Sequence, residues 1–501
     1  MLNITLLNSS PLNPNPSRSS SNQRRTNLTL AKGKEALKFL QRSCKFQVSK
    51  DAVRTRGLSK RWRNVWASVP VLNFDSVDFW PDDISSFSFR SEILERQDKF
   101  VKFIDAVLAS RQVQQVDRFM LAWKYQVRNY PPHGHPVRRW IPIVVQQLPW
   151  VLSILLQPRL DRVDIIPEPI FTCSSLEEIK LQVKNRADHS IWHNRLNPMV
   201  VTLPHLRKLN LGHFRIEADF MDKLFLGCPI LEEVELYSCW LDISQISCDN
   251  LRSLVINGCY HSRAIEVSIP SLQYLKVTVV CSQPERFVFK NMSSLVKASI
   301  CLLDLNDVDV LIFGFGAEIL AGLSGVTTLD IVLCGLRSED MLKHILWTCP
   351  HFENLKFMNF ESFDGCTTDC IDMVDRLIQH SPALKEVAVY GCQGDADDEI
   401  DLLEELRKLL GEYGILVERH QGNIYSSLNE LKELSHEHMY LLESILWAPL
   451  NEGEGEGEEG GAWWGGAISE EEEEKGEDEA EEMEDENEDT DEEEKDDEWK
   501  E

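Results

Sequence analysis

One short phrase recurs along the middle of this chain and limits its fold more than any other feature. An apolar residue is followed by a second three positions on and a third two further. The phrase reads LEEIKL from Leu176, LRKLNL from Leu206, LEEVEL from Leu231, LRSLVI from Leu251 and LQYLKV from Leu272. It continues as LVKASI from Leu295, VTTLDI from Val326, FENLKF from Phe352 and LKEVAV from Leu384, and LDRVDI from Leu160 fits the same template. From Leu176 to Leu384 the phrases are spaced by 26 residues on average.

The last two apolar positions of each phrase alternate with a polar one, so they share one face of a short strand. One such unit cannot bury its apolar side alone, and stacked neighbours build a common core. A period of about 20 to 29 residues is that of leucine-rich repeats. The expected fold is therefore α/β: a solenoid with a curved parallel sheet on its concave face and helices or loops outside.

The cysteines follow this register. Cys239, Cys259, Cys334 and Cys392 fall at the ninth position, where the repeat pattern carries Asn or Cys, and Cys173, Cys228, Cys248 and Cys349 lie three residues before a phrase. Eight of the 13 cysteines thus have a packing role. Cys366 and Cys370 lack partners at metal-ligand spacing, so no zinc site is expected. Without a secretion signal, no disulfide framework is expected.

The polar residues inside the phrases point away from the core. They give the candidate target-binding set Lys208, Asn210, Glu233, Glu235, Tyr274, Lys276, Lys297, Asp330, Asn354 and Lys356. Its mixed charge suits a protein ligand; nucleic acid favours a stripe of one basic sign. Read singly, each is a solvated strand residue.

The flanks divide the rest. Residues 1–34 contain no Asp or Glu and are rich in Ser, Asn, Pro and Arg, which fits a transit peptide or a disordered lead-in. Residues 76–159 read as an irregular lead-in: a helix over KFVKFIDAVLAS, a strand over VDRFMLAW, and a helix–turn unit over WIPIVVQQLPWVLSIL. The repeats span 160–400, and residues 401–450 read as a helical cap, with one helix ending at Gly411 or Gly414 and a second over 427–447. Residues 451–501 hold 28 acids against 3 bases, a net of −25 out of the chain's −30, leaving −5 for residues 1–450. So acidic a segment cannot bury enough apolar surface to offset chain entropy and is expected to be disordered. No apolar run reaches membrane-spanning length, so no membrane partner is expected.

One basic stretch stands apart: SKDAVRTRGLSKRWRNVW, residues 49–66, with Arg54, Arg56, Arg61 and Arg63 around Trp62 and Trp66. Composition alone leaves open a nucleic-acid patch, a membrane-surface helix and a docking helix. The run Ser49 to Asp75 resembles the second half of the F-box of plant F-box/leucine-rich-repeat proteins: Lys-Asp-Ala-Val, then Leu-Ser-Lys-Arg-Trp-Arg, then Trp, an apolar-Pro turn and Asn-Phe-Asp. Repeat phrases such as CPILEEVELYSC and CPHFENLKF are similar to that family's repeats, so the resemblance spans about residues 46–395. The Leu-Pro element that opens an F-box is absent, and Val48 stands where Pro is expected, so over residues 35–75 the motif is truncated or degenerate in its first half.

The resemblance implies a substrate receptor of a Skp–cullin–F-box ubiquitin ligase, located in the nucleus, the cytoplasm or both. Val53, Leu58 and Trp62 would belong to the apolar set facing the Skp-family adaptor, through which the cullin is reached, and the repeats would hold an unidentified target. Such a receptor is not itself an enzyme and needs no cofactor. HGH at 133–135 and HEH at 436–438 have no ligand or triad context and read as surface histidines. The alternative is a leucine-rich scaffold whose acidic tail binds histones or other basic proteins.

Overall fold

The computed structural model describes residues 70–79, 90–111, 115–124, 135–157, 166–184, 194–280, 287–303, 319–334, 349–362, 368–390, 407–408, 411, 413 and 415–420. All lie in the first of the chain's two units, Met1–Trp447. The LDRVDI stretch, the 427–447 helix, the acidic tail and the F-box-like residues before Pro70 fall outside them.

Among the described residues one parallel sheet of 13 strands dominates. Its members are β1 (Val71–Asp75), β2 (Arg118–Trp123), β3 (Val151–Leu156), β4 (Glu178–Val183), β5 (Lys208–Gly212), β7 (Glu233–Tyr237) and β10 (Ser253–Asn257). They continue as β13 (Tyr274–Val280), β15 (Lys297–Leu303), β16 (Thr328–Cys334), β17 (Phe357–Ser362), β18 (Glu386–Tyr390) and β19 (Leu416–His420). Each pairs with the next in chain order, the arrangement of a leucine-rich-repeat solenoid.

The alternation in the phrases becomes alternation in burial. In β4, Ile179, Leu181 and Val183 point inward and Glu178 and Lys180 outward. In β7, Val234 and Leu236 are buried between Glu233, Glu235 and Tyr237. The inward leucines of successive strands merge into one continuous apolar core.

The ladder is longer than the 160–400 span that the phrases mark. It begins at Val71, inside the segment read as F-box-like, and runs to His420, within the expected helical cap. The supposed irregular lead-in is regular. Helix α1 (Arg90–Ser110) buries Phe100, Ile104, Val107 and Leu108, and helix α2 (Val137–Val145) is followed by β3, where a helix–turn unit was expected. Asp105 of α1 ties the two helices by accepting from Arg139 (2.7 Å) and Trp140 Nε1 (2.7 Å). The place between β2 and β4 belongs to Val151–Leu156, so LDRVDI does not supply that strand.

Two small sheets flank the main one. They comprise β6 (Arg215–Glu217), β8 (Trp240–Asp242) and β11 (Tyr260–His261), and β9 (Gln245–Ser247), β12 (Ile265–Ser268) and β14 (Phe287–Lys290). The first is set up by a repeated turn. His213, Ser238 and Gly258 each adopt positive φ (61°, 45° and 60°) eight residues into their phrase, and β6, β8 and β11 start two residues later. A left-handed residue there turns the chain sharply out of the main sheet. The next residue is Cys239 in one repeat and Cys259 in another. Their thiols donate to the Leu211 and Leu236 carbonyls of the preceding repeat (3.5 and 3.4 Å), which explains a small thiol at the ninth position.

Helix α3 (Ala218–Gly227) approaches its neighbour closely at Gly227, where a β-carbon would lie 2.0 Å from the Val201 carbonyl oxygen. Met373 and Leu377 of helix α4 (Thr368–Gln379) line one small cavity together with Ile300 and Leu302 of β15 and Ile331 of β16.

Candidate protein-binding face

The outward side of the main sheet carries side chains in straight rows, because the strands are parallel and in register. One row runs Glu178, Lys208, Glu233, Ser253, Tyr274, Lys297, Thr328, Phe357, Glu386. The next runs Lys180, Asn210, Glu235, Val255, Lys276, Ser299, Asp330, Asn359, Ala388. At the strand starts lies a rim of residues linked by backbone hydrogen bonds: Trp150, Glu177, Arg207, Glu232, Arg252, Gln273, Val296, Thr327, Lys356, Lys385.

Eight of the ten sequence-predicted target contacts stand on the outward rows: Lys208, Asn210, Glu233, Glu235, Tyr274, Lys276, Lys297 and Asp330. Asn354 and Lys356 do not. Thr328 pairs with Phe357 and Asp330 with Asn359, so the phrase in this repeat starts at Leu355, three residues later than expected. Phe352 and Leu355 are both fully buried, and each offers an apolar start, so the pattern admits two registers. Phe357 and Asn359 take the outward places, while Lys356 moves to the rim and Asn354 stays exposed before it.

Much of the face is occupied by its own partners. Lys208 donates to Glu233 (2.7 Å), which raises the lysine's pKa. Gln182 donates to Asn210 (3.1 Å), Asn210 to Glu235 (2.6 Å), and the Tyr237 hydroxyl to the same carboxylate (3.4 Å). On the rim Arg207 reaches Glu232 at 3.1 Å. Further along, Asp330 is only 3% exposed and holds Lys297 (2.7 Å) and Asn359 (2.6 Å). Burial, with the Asp330 and Glu235 carboxylates nearby, pushes the Tyr274 phenol above its usual pKa. Val255, Ser299 and Ala388 are buried too, so these outward positions are not the solvated residues their spacing suggests.

His135 departs from its surface reading as well. It is buried, its ring lies 4.9 Å from that of Trp123, and burial drives its pKa down to about 3. Its role in the core is that of a neutral aromatic. Burial pushes the thiol of Cys228 up to about 12 and that of Cys349 to about 11, so both stay protonated at neutral pH. Among the described residues no cluster of three His, Cys, Asp or Glu converges on a point that could hold a metal ion. Val53, Leu58 and Trp62 lie outside the described residues.

Known proteins match over the same ground. Residues 138–293 match the family described as FBD-associated F-box protein At5g56370, LRR repeats. The chain is 26% identical over 381 residues to the F-box/LRR-repeat protein At3g58930 of Arabidopsis thaliana, covering 71% of this chain and 75% of that one. It is 27% identical over 360 residues to the F-box/FBD/LRR-repeat protein At5g44980 of the same plant, covering 68% and 74%. A third Arabidopsis thaliana relative, F-box/LRR-repeat protein At3g58940, is 28% identical over 391 residues; the match covers 73% of this chain and 56% of the relative. Repeat register, ladder and these matches agree: the chain is similar to plant F-box/leucine-rich-repeat proteins.

Proposed function

We propose that this protein is the substrate-recognition subunit of a Skp–cullin–F-box ubiquitin ligase, acting in the nucleus, the cytoplasm or both. The observation that carries the reading is the F-box-like run from Ser49 to Asp75, which passes directly into the first strand of the repeat ladder at Val71. On this reading Val53, Leu58 and Trp62 pack against the adaptor, which bridges to the cullin. The outward face of the sheet holds the target, and another subunit performs ubiquitin transfer. The receptor contributes positioning, which raises effective concentration, and no bond-making group.

Co-purification with a Skp-family adaptor tests the reading. The full chain should retain adaptor, and Trp62→Ala should lose it; no retention by the full chain would overturn the proposal. The −25 charge of residues 451–501 supports a second role, attraction of basic proteins such as histones. In that case histone capture should disappear when the chain is ended at Leu450 and fall steeply with salt.

A further inference from the structure

The rim at the strand starts changes character along the sheet. From Glu177 to Arg252 it alternates acid and base, and Arg207 and Glu232 form an ion pair there. From Gln273 onward it reads Gln273, Val296, Thr327, Lys356, Lys385. The last two lysines are therefore direct neighbours: the Lys385 amide donates to the Lys356 carbonyl at 2.9 Å. Both side chains are exposed. Among the described residues neither enters an ion pair, and the closest acids in sequence, Glu353 and Glu386, bridge to neither.

Phe357, next in sequence to Lys356 and paired in register with Glu386, is 43% exposed, in a row where every other residue from Glu178 to Glu386 carries a polar group. Val296 on the same rim is 50% exposed. Two lysines without ion pairs on neighbouring strand starts, with an exposed aromatic next in sequence to one of them, suit a ligand that is anionic and partly apolar.

We infer that Lys356, Lys385 and Phe357 take an acidic segment of the target protein, with carboxylates on the two lysines and an apolar side chain on the ring. The inference rests on the receptor reading above and adds the chemical class of its target. The separation of neighbouring strands, about 4.8 Å, lets two successive acidic side chains of an extended segment address the two lysines.

The test uses the full chain and a short fluorescent peptide of glutamates flanking one phenylalanine, followed by fluorescence anisotropy. The same peptide with lysines for glutamates is the control. The acidic peptide should bind, and more weakly as salt rises. Lys356→Glu with Lys385→Glu should weaken it about tenfold or more, and Phe357→Ser about threefold. Lys102→Glu, on the exposed side of α1, should leave it unchanged. Matching thermal melts of variants and wild type exclude loss of folding as the cause. Equal binding of the basic peptide, absent binding, or binding indifferent to the double reversal would overturn the inference. Adaptor capture, scored on the same preparations, separates the two claims. Capture without acidic-peptide binding overturns this inference alone, and peptide binding without capture overturns the receptor reading.

Discussion

Two stretches of one sheet face, β4 to β7 and β16 to β18, share a backbone and differ in what their side chains do. In the first, lysine meets glutamate, amide meets carboxylate, and the rim alternates in sign. In the second, Asp330 is sealed under Lys297 and Asn359, while Lys356, Lys385 and Phe357 are left facing outward. A face whose groups satisfy one another gains little from a partner, because binding must first break internal contacts. A face with unmatched charge and exposed aromatic surface has more to gain. Position on the sheet does not by itself make a binding residue.

Mutations sharpen this contrast, and the largest effects test what the two stretches share. Leu209→Ala in β5 and Leu329→Ala in β16 each empty a buried site in the common core, and each should cost about 2–5 kcal/mol in urea unfolding. A large cost in one and none in the other would break the claim of one continuous core. Asp330→Ala removes a buried carboxylate with two partners and should cost about 1–3 kcal/mol, reduced because Lys297 itself reaches solvent. Lys208→Ala breaks an exposed pair in the first stretch and should cost no more than about 1 kcal/mol, less in high salt. Phe357→Ser should stay within about 0.5 kcal/mol of wild type, since its side chain is 43% exposed and is not part of the buried core cluster. A stability loss there above the Lys208→Ala value would mean the ring is structural and not a contact surface.

The sequence made the core legible where phrase and strand coincide. Leu206, Leu209 and Leu211 follow the template, and each is buried as the spacing requires. The spacing misplaces the register at Phe352 because Phe352, Leu355 and Phe357 supply one template and Leu355, Met358 and Phe360 a second, three residues later. Pairing with β16 selects the later one, which no local spacing reveals. β3 was missed because its phrase, PWVLSI, opens on Pro149, while LDRVDI imitated the pattern downstream. The small flanking sheets use strands of two to four residues, too short for a period to register. Burial of Asp330, Ser299 and Val255 is likewise a tertiary outcome. The candidate site was legible as a face; its division into a saturated and an open stretch depends on which neighbours the ladder brings together.

Competitive acylation of lysines by an amine-reactive ester, with residue-level rates from mass spectrometry, tests that division most directly. Lys208 is held by Glu233, which keeps more of it protonated and unreactive, and Lys297 is bridged to Asp330. Lys356 and Lys385 should react faster than both, with the gap narrowing in high salt. Lys208 and Lys297 reacting as fast as Lys356 and Lys385 would contradict it.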